Sequence, residues 1–172
     1  ASFSVGLATP WSPQKSGIAD FSATVGRELA TMCDLTVYTT ADARVDDHIK
    51  SGAIDLILAK GSEHDSFVSV IGNSHFHVPF IEVMKTVDSV AIAHDTRMIE
   101  FYAALRGRGG VEQLMLRGQS QRVISPPFDE QLDDMRLLQN AGLWEIARQA
   151  RLLIMHSPST CLLYTSPSPR DS

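Results

Sequence analysis

The sequence predicts an α/β fold, a mostly parallel sheet with helices on both faces. Three observations lead there. Short apolar runs recur along the chain at 3–8, 35–39, 54–59, 66–71, 89–93 and 152–155, each long enough for a buried strand. Most of the segments between them carry apolar residues at helical spacing. Finally, 172 residues with 44% apolar content can bury one sizeable core.

Taken in order, Phe3–Ala8 reads as a strand buried on both faces, and Ile18, Phe21, Val25 and Leu29 place a helix over 17–31. The β-branched run Leu35–Thr39 is a second strand. Residues 41–52 are polar and suit a loop or surface helix, and Ile54–Ala59 is a third strand candidate. Ser66–Ile71 is a fourth, closed by Gly72 and Asn73. Pro79 confines a helix within 75–85 to starting near it. Ser89–Ala93 is a strand ending on His94 and Asp95, with a helix expected from Thr96 to Arg106. The glycines of 106–110 interrupt that helix, 111–121 resume it, and Pro126-Pro127 breaks it again. A helix through Leu132, Met135 and Leu138 and another near 143–150 precede the last strand, Leu152–Met155. Strands alternating with helices give a Rossmann-like sheet.

Composition narrows the function. A net charge of −5 argues against general nucleic-acid binding. No run approaches the roughly 18 apolar residues of a membrane span. The two cysteines, Cys33 and Cys161, form neither a C-x-x-C pair nor a ligand cluster, so a cytoplasmic, disulfide-free protein is expected. The tail "CLLYTSPSPRD" at 161–171 resembles the in-frame translation of a sequencing-library adaptor. Residues 161–172 are therefore expected to be an artefactual or disordered tail, which leaves 1–160 as one domain and Cys33 as its thiol.

Ligands of open parallel sheets bind beyond the carboxyl ends of the strands, and three loops there carry chemistry-bearing residues. In Thr9–Asp20, Gly17 leaves room for an anion to approach the backbone, Ser16 suits a helix N-cap, and Lys15 adds charge. A plain Pro/Gly connector capped by Ser16 explains the same residues. Asp20 lies in the first helical turn, where it orients the loop or a ligand hydroxyl, or simply complements the helix dipole. In the second loop, Gly72–His77, Asn73 can donate and accept, and His75 and His77 offer imidazoles. No further ligands follow at usable spacing, so no metal site is expected. In the third, His94 is placed to meet a ligand, while Asp95 is expected to cap the following helix. No G-x-S-x-G elbow supplies a nucleophile for a His–Asp relay. Five arginines between Arg97 and Arg122 make a basic segment, either a solvated face or a peripheral contact with an anionic membrane surface.

Together, "PWSPQKSGIADFS", "GNSHFH", "VAIAHD" and "ARLLIMHSPS" resemble, in that order, the amino-terminal half of GT-B-fold glycosyltransferases. The likeness is closest to the retaining mannosyl- and rhamnosyltransferases of polysaccharide assembly, and it spans about residues 3–160. "LILAKGSEHDSFVSVIGN" departs from the family by lacking Tyr-Gln before Gly-Asn.

The resemblance implies an acceptor-side domain whose Ser16-Gly17 turn lies against the diphosphate of a sugar nucleotide. It places His94, as the catalytic residue, beside the transferred sugar. Asn73 and His77 match a recurrent G-N-x-x-x-H pattern shaping the cleft, and His156-Ser157 matches a strand end near the crossover to a second domain. Ser16, Gly17, Asp20, Asn73, His77 and Asp95 are the candidate ligand-binding residues. A nucleotide-diphosphate sugar would be a substrate, with no separate cofactor, and the acceptor a polysaccharide, glycolipid or lipid-linked glycan. A donor-binding carboxy-terminal domain would be missing from this truncated chain, leaving it inactive alone, on the cytoplasmic side, with a peripheral contact at the inner membrane face through the Arg97–Arg122 segment. Two alternatives remain: a GT-B-fold sugar-nucleotide epimerase, which needs acidic residues in these loops, and a non-enzymatic doubly wound regulatory module, which would place an acidic cluster there.

Overall fold

The structure, a computed structural model, describes residues 2–95, 98–118 and 143–156. Among the described residues six strands form one all-parallel sheet: β1 (Ser4–Ala8), β2 (Asp34–Thr39), β3 (Lys50–Ala53), β4 (Ser66–Ile71), β5 (Val90–Ala93) and β6 (Leu152–Met155). Their spatial order is β3-β2-β1-β4-β5-β6. This is the doubly wound, Rossmann-like order, in which the winding reverses between β1 and β4.

The pleat sorts the strand residues onto two layers. Val5, Leu7, Leu35, Val37 and Val70 face α1 (Gly17–Met32), forming one core together with Trp11, Ala23 and Ile49. Ala8, Phe67, Ile71, Ala91 and Ala93 face the other way. They pack with α2 (Ile54–Lys60), α3 (Val78–Thr86), α4 (Ile99–Gly118) and α5 (Leu143–Ala147) in a second core. A 3₁₀ turn, His75–His77, leads into α3, which has Pro79 in its first turn as expected. Gly107 breaks the regular path of α4 with a φ of 68°, where the glycine run predicts an interruption.

The segment 54–59 corrects the sequence reading. It is a helix, not a strand: Ile54 and Ile57, three apart, are buried, while Leu56 and Leu58 lie outward at 49% and 36% exposure. An apolar run this short fits either period, and the spacing of the buried pair decides. The third strand is instead the polar stretch Lys50–Ala53, read beforehand as loop or surface helix. Among the described residues it is an edge strand paired with β2 alone, so backbone hydrogen bonds hold it without an apolar face. The helix expected from Thr96 begins at Ile99. The helix expected through Leu132 and Leu138, most of the basic segment (Arg97, Arg117 and Arg122 among it) and the tail lie outside the described residues or side chains. Among the described residues no helix is long and apolar enough to cross a membrane.

Candidate functional site at the carboxyl edge of the sheet

Because every strand is parallel, the loops after β1, β4, β5 and β6 leave the sheet at one edge. The first, 9–16, is anchored from within. Trp11 is 1% exposed and lies so close over α1 that a Cβ on Gly26 would stand 2.7 Å from its ring. The Thr9 hydroxyl donates to Ser22 Oγ at 2.7 Å, Gln14 Nε2 donates to Thr40 Oγ1, and Arg44 N donates to Ser12 O. Ser16 caps α1 as expected, its Oγ accepting from Ala19 N at 3.1 Å.

The cap leaves the N–H groups of Gly17 and Ile18 without a partner among the described residues. Gly17 has no positive φ, and a Cβ there would meet nothing within 4 Å. Its backbone therefore borders open space, and no neighbouring group demands glycine there. Asp20 is exposed in the same turn, and its carbonyl accepts from Thr24 Oγ1.

The second loop is spent on internal bonds. Asn73 N donates to Asp95 Oδ2 at 2.7 Å. Asn73 Oδ1 accepts from the N–H groups of Glu100 and Phe101 at 3.0 and 3.1 Å, and its Nδ2 donates to Glu100 Oε2. Asn73 thus caps α4 from 27 residues away, which corrects the capping role expected of Asp95. That carboxylate instead holds the turn at Gly72 and Asn73, and the helix begins four residues beyond it.

A Cβ on Gly72 would fall 2.3 Å from Ile18 Cδ1, 2.9 Å from His77 Nε2 and 3.3 Å from Asp95 Oδ2. Gly72 is the point where α1, the 3₁₀ turn and the loop after β5 meet, and only a hydrogen fits there. His77 lies beneath this point with no exposed surface. Its Nδ1–H donates to the Val70 carbonyl at 3.0 Å, which leaves a lone pair on Nε2 without a partner among the described residues. Burial pushes its pKa from 6.5 to about 4, so this imidazole is neutral at physiological pH. His75, by contrast, is exposed against Phe76. Among the described residues no group of three potential ligands could hold a metal ion.

His94 leaves β5 held by its backbone N–H to the Ile71 carbonyl at 2.9 Å. Its ring stands edge-on to Phe21 of α1, 4.7 Å between centroids. Burial, then the neighbouring His156, lower its pKa, and Asp95 opposes them. His94 is therefore a neutral imidazole near pH 7, and positive charge for an anion has to come from elsewhere. Sequence reasoning named the His156 strand end but missed its contact with His94. It also missed Trp11 and Phe21, whose helical spacing identifies Phe21 only as a core residue.

At the opposite edge, a groove of about 430 Å³ is lined by Lys60, His64, Asp65, Asp88 and Arg151, among others. The carboxyl ends of α2 and α3 reach it, and their carbonyl dipoles disfavour an anion. The carboxyl edge, with its open N–H groups beside the winding reversal, is the better binding face. No family model, curated protein or solved structure matches this chain.

Proposed function

We propose that the chain is the acceptor-side domain of a glycosyltransferase that passes a sugar from a nucleotide diphosphate to a hydroxyl acceptor with retention. One observation carries the reading. The start of α1, with open N–H groups at Gly17 and Ile18, sets Ile18 against Gly72 and Phe21 against His94 at the reversal between β1 and β4. Helix N-termini favour anions, and a doubly wound sheet presents its ligand crevice at this point.

In this reading the α1 N–H groups, with exposed Lys15 nearby in sequence, stabilise the departing diphosphate as its charge develops. His94, neutral and braced by Phe21, lies beside the transferred sugar and does not act as a general base. Asn73 and Asp95 serve by keeping Gly72 against Ile18. A second domain would supply the nucleotide contacts, so this chain alone binds a donor weakly and turns none over.

The test is calorimetric titration of the 172-residue chain with a nucleotide-diphosphate sugar and with the matching nucleoside. Millimolar binding that requires the diphosphate supports the reading. Equal binding of the nucleoside, or turnover by this chain alone, contradicts it.

A further inference from the structure

His94 and His156 follow adjacent strands whose last residues, Ala93 and Met155, are register partners, so the two imidazoles leave the sheet side by side. His94 Nδ1 and His156 Nε2 are 3.1 Å apart, with ring centroids at 4.4 Å. Phe21 stands edge-on to both rings, at 4.7 and 5.4 Å. Their surroundings differ: His94 is half-buried with Nε2 shielded and unpartnered among the described residues, whereas His156 is exposed.

A hydrogen bond between two neutral imidazoles takes one N–H and one lone pair, and the choice fixes where each ring keeps its other proton. If His94 donated from Nδ1, its shielded Nε2 would be a bare lone pair. The titratable groups acting on that ring besides His156 are Asp95 on its own loop and His77 from the 3₁₀ turn, while α1 presents Phe21. Asp95 is a carboxylate, and His77 already holds a lone pair at Nε2 because its Nδ1–H is committed to Val70. Donation from His156 Nε2 to His94 Nδ1, by contrast, gives both rings the Nε2–H form, the tautomer that a histidine side chain favours on its own.

We propose that His156 is a positioning residue for His94: its Nε2–H donates to His94 Nδ1, sets the ring against Phe21 and confines the His94 proton to Nε2. His94 is then a hydrogen-bond donor from Nε2.

The test needs no ligand, so its outcome is separate from that of donor binding. Long-range proton–nitrogen spectra of the ¹⁵N-labelled chain above pH 7.5 report which ring nitrogen of each histidine carries hydrogen. His94 is expected to be protonated at Nε2. His156→Leu, an exposed change that leaves the core intact, should raise the Nδ1–H population of His94 about fivefold, the worth of one hydrogen bond. His156→Gln, whose side-chain amide also donates, should restore the original state. A His94 protonated at Nδ1 in the unaltered chain, or a proton position indifferent to His156→Leu, overturns the proposal.

Discussion

The loops after β1 and β4 lead to one meeting point, Ile18 against Gly72, and treat their polar groups in opposite ways. The first is held by a buried indole, a buried hydroxyl pair and one helix cap, and ends with two open N–H groups at Gly17 and Ile18. The second uses the polar atoms of Asn73 to join α4 to the loop after β5. One loop leaves two donors open at its end; the other spends its donors on architecture. A residue type suited to ligand contact is therefore no guide to ligand contact until its hydrogen bonds are accounted for.

The comparison breaks most readily at Trp11. Trp11→Ala removes the largest fully buried side chain among the described residues and should destabilise the chain by about 3–5 kcal/mol in denaturant unfolding. A cost comparable to a surface change would mean that the first loop is held some other way. Next is acidification. His77 has a folded pKa of about 4 against 6.5, so the unfolded chain binds the extra proton between these values. Stability is then complete above pH 6.5 and falls by up to about 3 kcal/mol as pH drops towards 4. His77→Leu should flatten that slope, and an unchanged slope would assign it to other groups. Gly72→Ala drives a methyl group into Ile18 and His77 and should cost about 1–3 kcal/mol. Asn73→Ala leaves the N–H groups of Glu100 and Phe101 open and should cost about 1–2 kcal/mol, as a lost helix cap does. Gly17→Ala sharpens the contrast from the other side. Its Cβ meets nothing, so stability should move by less than about 0.5 kcal/mol while diphosphate binding weakens.

Much of this was legible in the sequence because apolar period and punctuation act locally. Five of the six strands, the α1 cap at Ser16 and the kink near Gly107 followed from runs, spacing and glycine placement. Residues 50–60 were misread for a physical reason. Lys50–Ala53 is a strand by virtue of its β2 neighbour, a non-local fact, and the apolar run after it is too short to distinguish two periods. The convergence of Ile18, Gly72 and Asp95 also depends on strand order, which residue patterns do not encode directly. Asn73 and Asp95 were recognised as polar groups at strand ends, yet their bond to each other spans 22 residues and leaves no local trace.

The central claim is that the start of α1 is the anion-binding face of this sheet. Backbone amide spectra recorded while pyrophosphate is added test it most directly. Gly17 and Ile18 are expected to shift first and furthest, with the Lys60–Arg151 groove at the opposite edge unchanged. Shifts that begin around Lys60 and Arg151 and spare Gly17 and Ile18 would contradict the account.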